Sequence, residues 1–319
     1  MNTSTTPKTV KLLSSALLLI ATSTYADTFG TLGNEFTIDF AEIGNLGNAN
    51  DSGAGGGSYS SNFGGVGYGY RMGVTEVAQD WVTRAIASGL ANVDSGPWGS
   101  NQPATNISWY EAAAFVNFLN TSTGHQAAYD LNFTSSWTMK LWNSAEAWQA
   151  DGENLYRHRE SFYFLPNENE WYKAAFQKND GPTPNYWDYA TGSNLVPIAV
   201  PSGTLDGTAV FQSLTPADVN LAGGLSSYGI QGQGGNVWEW QESSFNGTND
   251  SPSLGRTIRG GYWPNNEVHL RSSARTLFGP ATSVNNIGFR VASVPEPSTV
   301  ALTLSAGSLL LIRRRRSLA

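Results

Sequence analysis

Two pairs of residues have the types and the spacing for acid–base chemistry. Glu267 and His269 are two positions apart, so both would lie on one face of a β-strand. Glu168 and Glu170 have the same spacing, but Glu170 also fits a helix-capping motif. No nucleophile, base and orienting group can be recognised together. The sequence therefore gives weak support for catalysis, and an active site, if there is one, would lie near residues 262–271.

Metal and thiol chemistry is limited by the composition. The chain has no cysteine, which excludes disulfides, thiolate zinc sites, iron–sulfur clusters and cysteine nucleophiles. The three histidines are far apart in the sequence, at His125, His158 and His269. We therefore expect no catalytic metal site built from histidines.

The chain is rich, instead, in residue types that bind sugars. It has 11 Trp, 13 Tyr and 14 Phe among 319 residues, and we expect many of these rings to supply the buried core. Aromatic faces stack on sugar rings, and asparagine side chains pair with hydroxyl groups. Two short segments combine these types, and their residues are our candidate glycan ligands: Tyr186, Trp187, Tyr189, Trp263 and Asn265.

The elements that position these residues are short. Charged residues make up only 13% of the chain and 35 residues are glycine, which argues against a helical bundle or a coiled coil. The sequence predicts one helix capped by Thr75 and two opened by capping boxes, Ser108 with Glu111 and Asn167 with Glu170. Strand patterns occur at residues 36–40, 256–263 and 288–292. No interior boundary is visible, so we predict a single domain over residues 27–293.

Residues 1–26 have the pattern of a secretory signal peptide. Lys8 and Lys11 give a basic start, residues 12–21 are apolar, and residues 24–26 (TYA) suit cleavage. We therefore predict export across the inner membrane and a mature chain that begins at Asp27.

Residues 294–319 form a second sorting element. Residues 294–299 (VPEPST) precede 13 mostly apolar residues, 300–312, and then four arginines, 313–316. This apolar stretch is shorter than the ~20 residues of a spanning helix. The order of the elements resembles the PEP-CTERM sorting signal of Gram-negative bacteria; the alternative is an ordinary short C-terminal anchor. The resemblance implies transient membrane insertion, removal by an exosortase-type sorting protease, and a destination in the cell envelope or exopolysaccharide matrix.

The charge of the mature chain excludes one class of partner. Two lysines of the signal and four arginines of the tail leave 12 of the 18 basic residues, against 24 acidic residues, a net charge of −12. Such a surface repels the phosphates of nucleic acids. It is compatible with neutral glycans and with divalent cations bound by oxygen ligands.

Motifs along the mature chain resemble the sulfatase-modifying-factor domain, the family of the formylglycine-generating enzyme. They are residues 70–77 (YRMGVTEV), 103–112 (PATNISWYEA), 164–175 (FLPNENEWYKAA), 234–240 (GGNVWEW), 259–263 (RGGYW) and 286–290 (NIGFR). The resemblance extends from about residue 35 to residue 293. It implies a mixed α+β fold that is a variant of the C-type lectin-like fold.

The resemblance also speaks against the family's oxidase chemistry. In the formylglycine-generating enzyme, two cysteines after the Arg-Gly-Gly motif bind copper, whereas residues 262–270 of this chain (YWPNNEVHL) contain no sulfur. Thiolates are the ligands that select Cu(I). No copper is therefore expected, and this chain is not expected to oxidise a sulfatase cysteine.

Structural calcium is the cofactor that the resemblance implies. The family's ligands correspond here to the carbonyls of Gly235 and Val237 and the carboxylate of Glu239, but an upstream side-chain ligand falls on Gly232. A second family site would draw on Asn220 and Leu221, and its partner segment is missing. Alternatively, Glu239 is a buried ion-pair partner, since Arg259, Arg275 and Arg290 need carboxylates such as Glu170 or Glu239.

Three functions remain open from the sequence. The leading hypothesis is an exported, non-catalytic protein of the envelope or the exopolysaccharide matrix that binds a glycan or an envelope partner. The alternative is an exported enzyme with a cysteine-free active site near residues 262–271, built on Glu267 and His269. A structural element of the envelope without a small ligand is the third.

Overall fold

The computed structural model describes residues 24–94 and 96–294. Most of the predicted signal peptide and the predicted sorting tail after Val294 lie outside the described residues.

The described residues contain short strands, three α-helices and two 3-10 helices. The strands are β1 (Thr24–Phe29), β2 (Phe36–Ile43), β3 (Tyr70–Gly73), β4 (Asp130–Phe133), β5 (Trp137–Lys140), β6 (Ala147–Trp148), β7 (Asn154–His158), β8 (Tyr163–Phe164), β9 (Ile198–Ala199), β10 (Thr208–Ala209), β11 (Trp238–Ser244), β12 (Arg256–Arg259), β13 (Thr276–Phe278), β14 (Ile287–Gly288) and β15 (Ala292–Ser293). The helices are α1 (Gln79–Ala87), α2 (Trp109–Ser122) and α3 (Glu168–Phe176), with 3-10 helices at Val219–Leu221 and Glu267–Leu270.

Two sheets form the frame of the domain. The larger has the order β1-β2-β3-β15-β8 with antiparallel pairs throughout. The smaller has the order β13-β12-β11-β14, and β14 runs parallel to β11. Residues 287–293 supply β14 to one sheet and β15 to the other, so this segment joins them. The predicted strand at 288–292 is thus two short strands in different sheets.

Glycine ends the predicted strand at 256–263 early. β12 stops at Arg259 because Gly260 and Gly261 have φ angles of +104° and +79°. This left-handed conformation favours glycine and does not continue a strand. The residues after this turn leave the sheet, and they include the region 262–271 where an active site was predicted.

The two predicted capping boxes are present. The Ser108 side chain accepts from the backbone N–H of Glu111, and Asn167 accepts likewise from Glu170. The prediction for Thr75 is wrong: α1 begins at Gln79 after Ala78, without a side-chain cap. Ala78 has extended backbone angles instead and pairs with Pro103 in a β-bridge.

Aromatic side chains fill the core, as the composition predicted. Trp109, Trp171 and Trp240 are fully buried and Trp238 is 7% exposed. The largest core cluster packs α2 between the two sheets. Within the described residues, none of the helices is both long and apolar enough to cross a membrane.

The predicted cleavage site falls inside β1. Tyr25 and Ala26 pair with Phe40 and Asp39 of β2. Asp27, the first residue after the predicted cleavage, receives a hydrogen bond from the guanidinium of Arg71 at 2.7 Å. The mature chain predicted from the sequence therefore keeps this ion pair at its first residue.

Candidate functional site

Glu239 of the Gly-Asn-Val-Trp-Glu-Trp motif forms a buried ion pair with Arg290. Arg290 donates to both carboxylate oxygens of Glu239, at 2.5 and 2.6 Å, and neither side chain is exposed. The indole N–H of Trp171 donates to the same carboxylate at 2.6 Å. Glu239 is therefore a buried ion-pair partner, the second of the two roles that the sequence left open for it.

In this arrangement the predicted calcium ligands are poorly suited to bind an ion. Both oxygens of Glu239 already accept hydrogen bonds, and a carboxylate paired with a guanidinium is a poorer ligand for Ca²⁺. Gly235 and Val237 offer carbonyls only, and Gly232 has no side chain. Among the described residues, no group of three or more acidic or histidine side chains is placed to hold a metal. The calcium site stays a prediction.

Glu76 lies beside Gly232, the position to which the resemblance assigns the family's upstream calcium ligand. A Cβ atom added to Gly232 would approach its carboxylate to 2.6 Å. One oxygen of Glu76 accepts from Asn236 at 2.9 Å, and the other has no partner among the described residues. Burial raises the pKa of Glu76 from 4.5 to about 8. Near neutral pH this carboxyl is therefore largely protonated.

The remaining arginines pair differently from the prediction. Arg259 and Arg275 both bind Glu168, at 2.7 Å, and not Glu170 or Glu239. Glu170 is paired with Arg157, which also binds Glu242. No local motif pointed to Arg157, because its partners are 13 and 85 residues away in the chain.

Most candidate glycan ligands lie in the core. Trp263 is 7%, Tyr186 2% and Tyr189 1% exposed. Trp187 is half-buried, with its indole N–H bonded to Ser227 and its ring under the ammonium group of Lys178. Because a buried ring has no face to offer a sugar, Trp263, Tyr186 and Tyr189 have structural roles in this arrangement.

Asn265 does line a cleft, which we call the arginine cleft. It has a volume of about 520 Å³. The lining consists of Trp238, Tyr262, Asn265, Val268, His269, Arg271, Ser273, Ala274, Arg275, Thr276 and Phe278. The turn after β12, the 3-10 helix at Glu267–Leu270 and β13 supply most of these residues. The sequence placed a site in this region but gave no reason to single out Arg271 or Phe278.

The predicted acid–base pair is not assembled on a strand. Glu267 and His269 lie in a 3-10 helix, whose Leu270 is buried in a small apolar cluster. His269 Nδ1 lies 3.0 Å from Asn266 Oδ1, and Glu267 lies 3.9 Å from Arg271. The two side chains therefore face other partners, which does not favour their joint action as acid and base.

A second cleft, which we call the amide cleft, was not predicted. Its volume is about 260 Å³. The side chains that line it include Phe63, Tyr68, Trp148, Asp151, Glu153, Asn154, Asn167, Glu168, Asn169, Ser243 and Asn249. Hydrogen bonds between chain segments hold its walls, such as the one that the N–H of Gly64 donates to the side chain of Asn169 at 3.0 Å. These residues come from four separate segments, so no local motif marks the cleft.

Comparisons with known proteins agree with this architecture. Residues 68–294 match the family model of the sulfatase-modifying factor enzyme 1-like domain. No curated protein sequence matches the chain. Treponema denticola variable protein 1 is similar in structure, with a TM-score of 0.56 and 21% identity over 85% of this chain and 99% of that one. CarF has a TM-score of 0.53 and 19% identity, covering 81% and 99%.

A third solved structure, PvdO from Pseudomonas aeruginosa, has a TM-score of 0.49 and 18% identity over 84% of this chain and 98% of that one. At such identities, likeness concerns the fold alone. The match to the family model extends over most of the chain, and the mixed α+β frame with three helices agrees with it. The chain belongs to the family of sulfatase-modifying factor enzyme 1-like domains, with the variant of the C-type lectin-like fold that its motifs predict.

Proposed function

We propose that this chain is an exported, non-catalytic member of its family that binds a glycan of the cell envelope or the exopolysaccharide matrix. The arginine cleft is the proposed binding site. Its combination of an exposed ring, Phe278, and a half-buried ring, Tyr262, with amide, imidazole and guanidinium groups is the observation that carries the proposal. Export by the signal peptide and sorting of the tail by an exosortase-type protease belong to the same proposal.

Aromatic groups give the cleft its affinity for sugar rings. Phe278 is 37% exposed at the end of β13, and Tyr262, which lines the same cleft, is half-buried. A sugar presents C–H groups to such rings and hydroxyl groups to polar neighbours. Asn265 and His269 supply donors and acceptors in the same cleft.

Binding is favoured over catalysis by the surroundings of the predicted catalytic pair. Glu267 faces Arg271 and His269 faces Asn266. Among the described residues, no serine, threonine or lysine side chain hydrogen-bonds to either of them. An enzyme with its active site near residues 262–271 is the second candidate, and a chemical change in a bound glycan would favour it.

The test is co-sedimentation of the purified chain with extracellular polysaccharide from the producing cells. We expect saturable binding that Phe278→Ala weakens about tenfold, because loss of one stacked aromatic ring removes about 1–1.5 kcal/mol. Phe133→Ala is the matched control, since Phe133 is 38% exposed on the β4–β5 hairpin. Equal binding by the two variants would contradict the proposed site.

The same samples test the calcium prediction. Melting curves are recorded with EDTA and with added Ca²⁺. A melting temperature that falls in EDTA would support an ion held by Gly235, Val237 and Glu239. An unchanged temperature would leave Glu239 with its ion-pair role alone.

A further inference from the structure

We propose that the arginine cleft selects glycans that carry an anionic group, a carboxylate or a sulfate, and that Arg271 binds this group. The inference rests on the proposed function and names the ligand class of the same site. It departs from the expectation of neutral glycans, which was based on the net charge of the whole mature chain.

The local charge of the cleft is opposite to that of the chain. Its described lining contains Arg271, Arg275 and His269, and no aspartate or glutamate. The mature chain carries twice as many acidic as basic residues. An acidic polysaccharide repelled by most of the surface would therefore meet a favourable potential at this concave site, where charges of one sign act together.

Arg271 is less engaged by protein carboxylates than the structural arginines are. Its guanidinium lies 3.9 Å from Glu267, and its Nε–H, which is buried, has no partner among the described residues. Arg157, by contrast, has carboxylate oxygens at 2.7 and 2.9 Å and is fully buried. The Arg271 side chain is 26% exposed, so a ligand can reach it.

Two tyrosines, Tyr59 and Tyr189, restrict the orientation of the Arg271 guanidinium. Its guanidinium carbon lies 4.4 Å from the centre of the Tyr59 ring. A side-chain hydrogen bond with Tyr189 also raises the pKa of its guanidinium. Such a held, planar guanidinium binds carboxylate and sulfate oxygens with little further loss of conformational freedom.

A second arginine adds charge that its partner does not cancel. Arg275 and Arg259 share the single carboxylate of Glu168. Two guanidinium groups against one carboxylate leave one positive charge in excess at the wall of the cleft. Because this charge is partly buried, salt screens it less than it screens an exposed lysine or arginine.

The test compares matched oligosaccharides on the full chain in a mild detergent. The probes are oligogalacturonate, its methyl ester of the same length, and a sulfated neutral oligosaccharide. We expect an anionic probe to bind about tenfold to a hundredfold tighter than the methyl ester, the range of a charge-assisted hydrogen bond. The two anionic probes distinguish a carboxylate ligand from a sulfate ligand.

Variants assign the selectivity to Arg271. Arg271→Gln should remove most of the difference between acid and ester, whereas Arg271→Lys should retain part of it, because a charge without the planar fork remains. Arg159→Gln is the control for charge alone, since Arg159 is 58% exposed with its carboxylate neighbour at 3.8 Å. Ser273→Asp places a negative charge on an exposed position of the lining and should also abolish selectivity.

The outcomes separate the inference from the proposed function. Equal affinity for acid and ester, with Phe278→Ala still weakening both, would overturn the inference and leave the proposed function in place. Absence of binding by every probe would overturn the inference, and if the chain also failed to co-sediment with the extracellular polysaccharide, the proposed function would be overturned as well. Tighter binding of an acidic peptide such as oligoglutamate than of either anionic glycan would overturn the glycan class.

Discussion

The arginine cleft and the amide cleft share one ion pair as a wall, yet their charges are opposite. Arg275 lines the arginine cleft, and its partner Glu168 lines the amide cleft together with Asp151 and Glu153. The described lining of the amide cleft contains no arginine or lysine. The ion pair of Arg275 and Glu168 thus separates a cleft with a positive lining from a cleft with a negative lining.

The difference shows that net charge says little about a site. Residues 27–293 have a net charge of −12, which describes average attraction and repulsion at a distance. The potential inside a cleft depends on the few groups that line it and on how fully each is paired. Substitutions in the shared wall therefore test the comparison directly.

The largest effect is expected for Glu168→Gln. The substitution leaves the buried Arg259 and the partly buried Arg275 without their carboxylate partner. The free energy of unfolding should therefore fall by about 3–5 kcal/mol. Chemical denaturation measures this change. Glu160→Gln is the control: Glu160 is 65% exposed and 3.8 Å from Arg159, and the control should change stability by less than about 1 kcal/mol. Equal effects would mean that the shared wall is not held by the ion pair.

Glu76 differs from Glu168 because its buried carboxyl is neutralised by a bound proton and not by an arginine. Its pKa is raised from 4.5 to about 8 by burial. The unfolded chain loses this proton near pH 4.5, while the folded chain keeps it to about pH 8. Glu76 therefore makes folding progressively less favourable as the pH rises between these values, and above them its effect is constant.

Glu76→Gln removes this pH dependence. The variant should gain stability relative to the native chain as the pH rises from 5, up to about 2–4 kcal/mol at pH 8. Unfolding by urea at a series of pH values measures the gain. The control is Glu42→Gln on the exposed side of β2, which should show no such trend. A stability difference that does not change with pH would contradict the raised pKa.

The smallest effect is expected for Asn167→Ala at the edge of the amide cleft. Asn167 accepts a hydrogen bond from the N–H of Glu170 at the start of α3. Its loss should cost about 1 kcal/mol. Ser108→Ala removes the corresponding cap of α2 and should cost about the same. A much larger loss at Asn167 would show that this residue also holds the walls of the cleft together.

Local motifs predicted much of the fold. The boxes at Ser108 and Asn167 fixed two helix starts, because capping depends on residues within one turn. Family motifs gave the fold class, and the buried tryptophans followed from composition. The start of α1 was missed because Ala78, the residue before the helix, pairs with Pro103, a contact that the local sequence does not reveal.

The site was predicted in outline only. Residues 262–271 do form part of a cleft, but Trp263, Tyr186 and Tyr189 are buried, and the strand expected for Glu267 and His269 is a 3-10 helix. Residue type indicates that an aromatic side chain can stack on a sugar. It does not indicate whether neighbours from distant segments cover that side chain.

The sequence by itself determined the family, the absence of cysteine chemistry, the helix caps and the aromatic core, since each depends on residue type or on short spacings. The tertiary structure alone decided which arginine pairs with which carboxylate, and hence where positive charge remains. Arg275 and Glu168 are 107 residues apart. Ion pairing at such separations is set by the packing of sheets and loops, because the strength of a charge interaction depends on distance and burial and not on position in the chain.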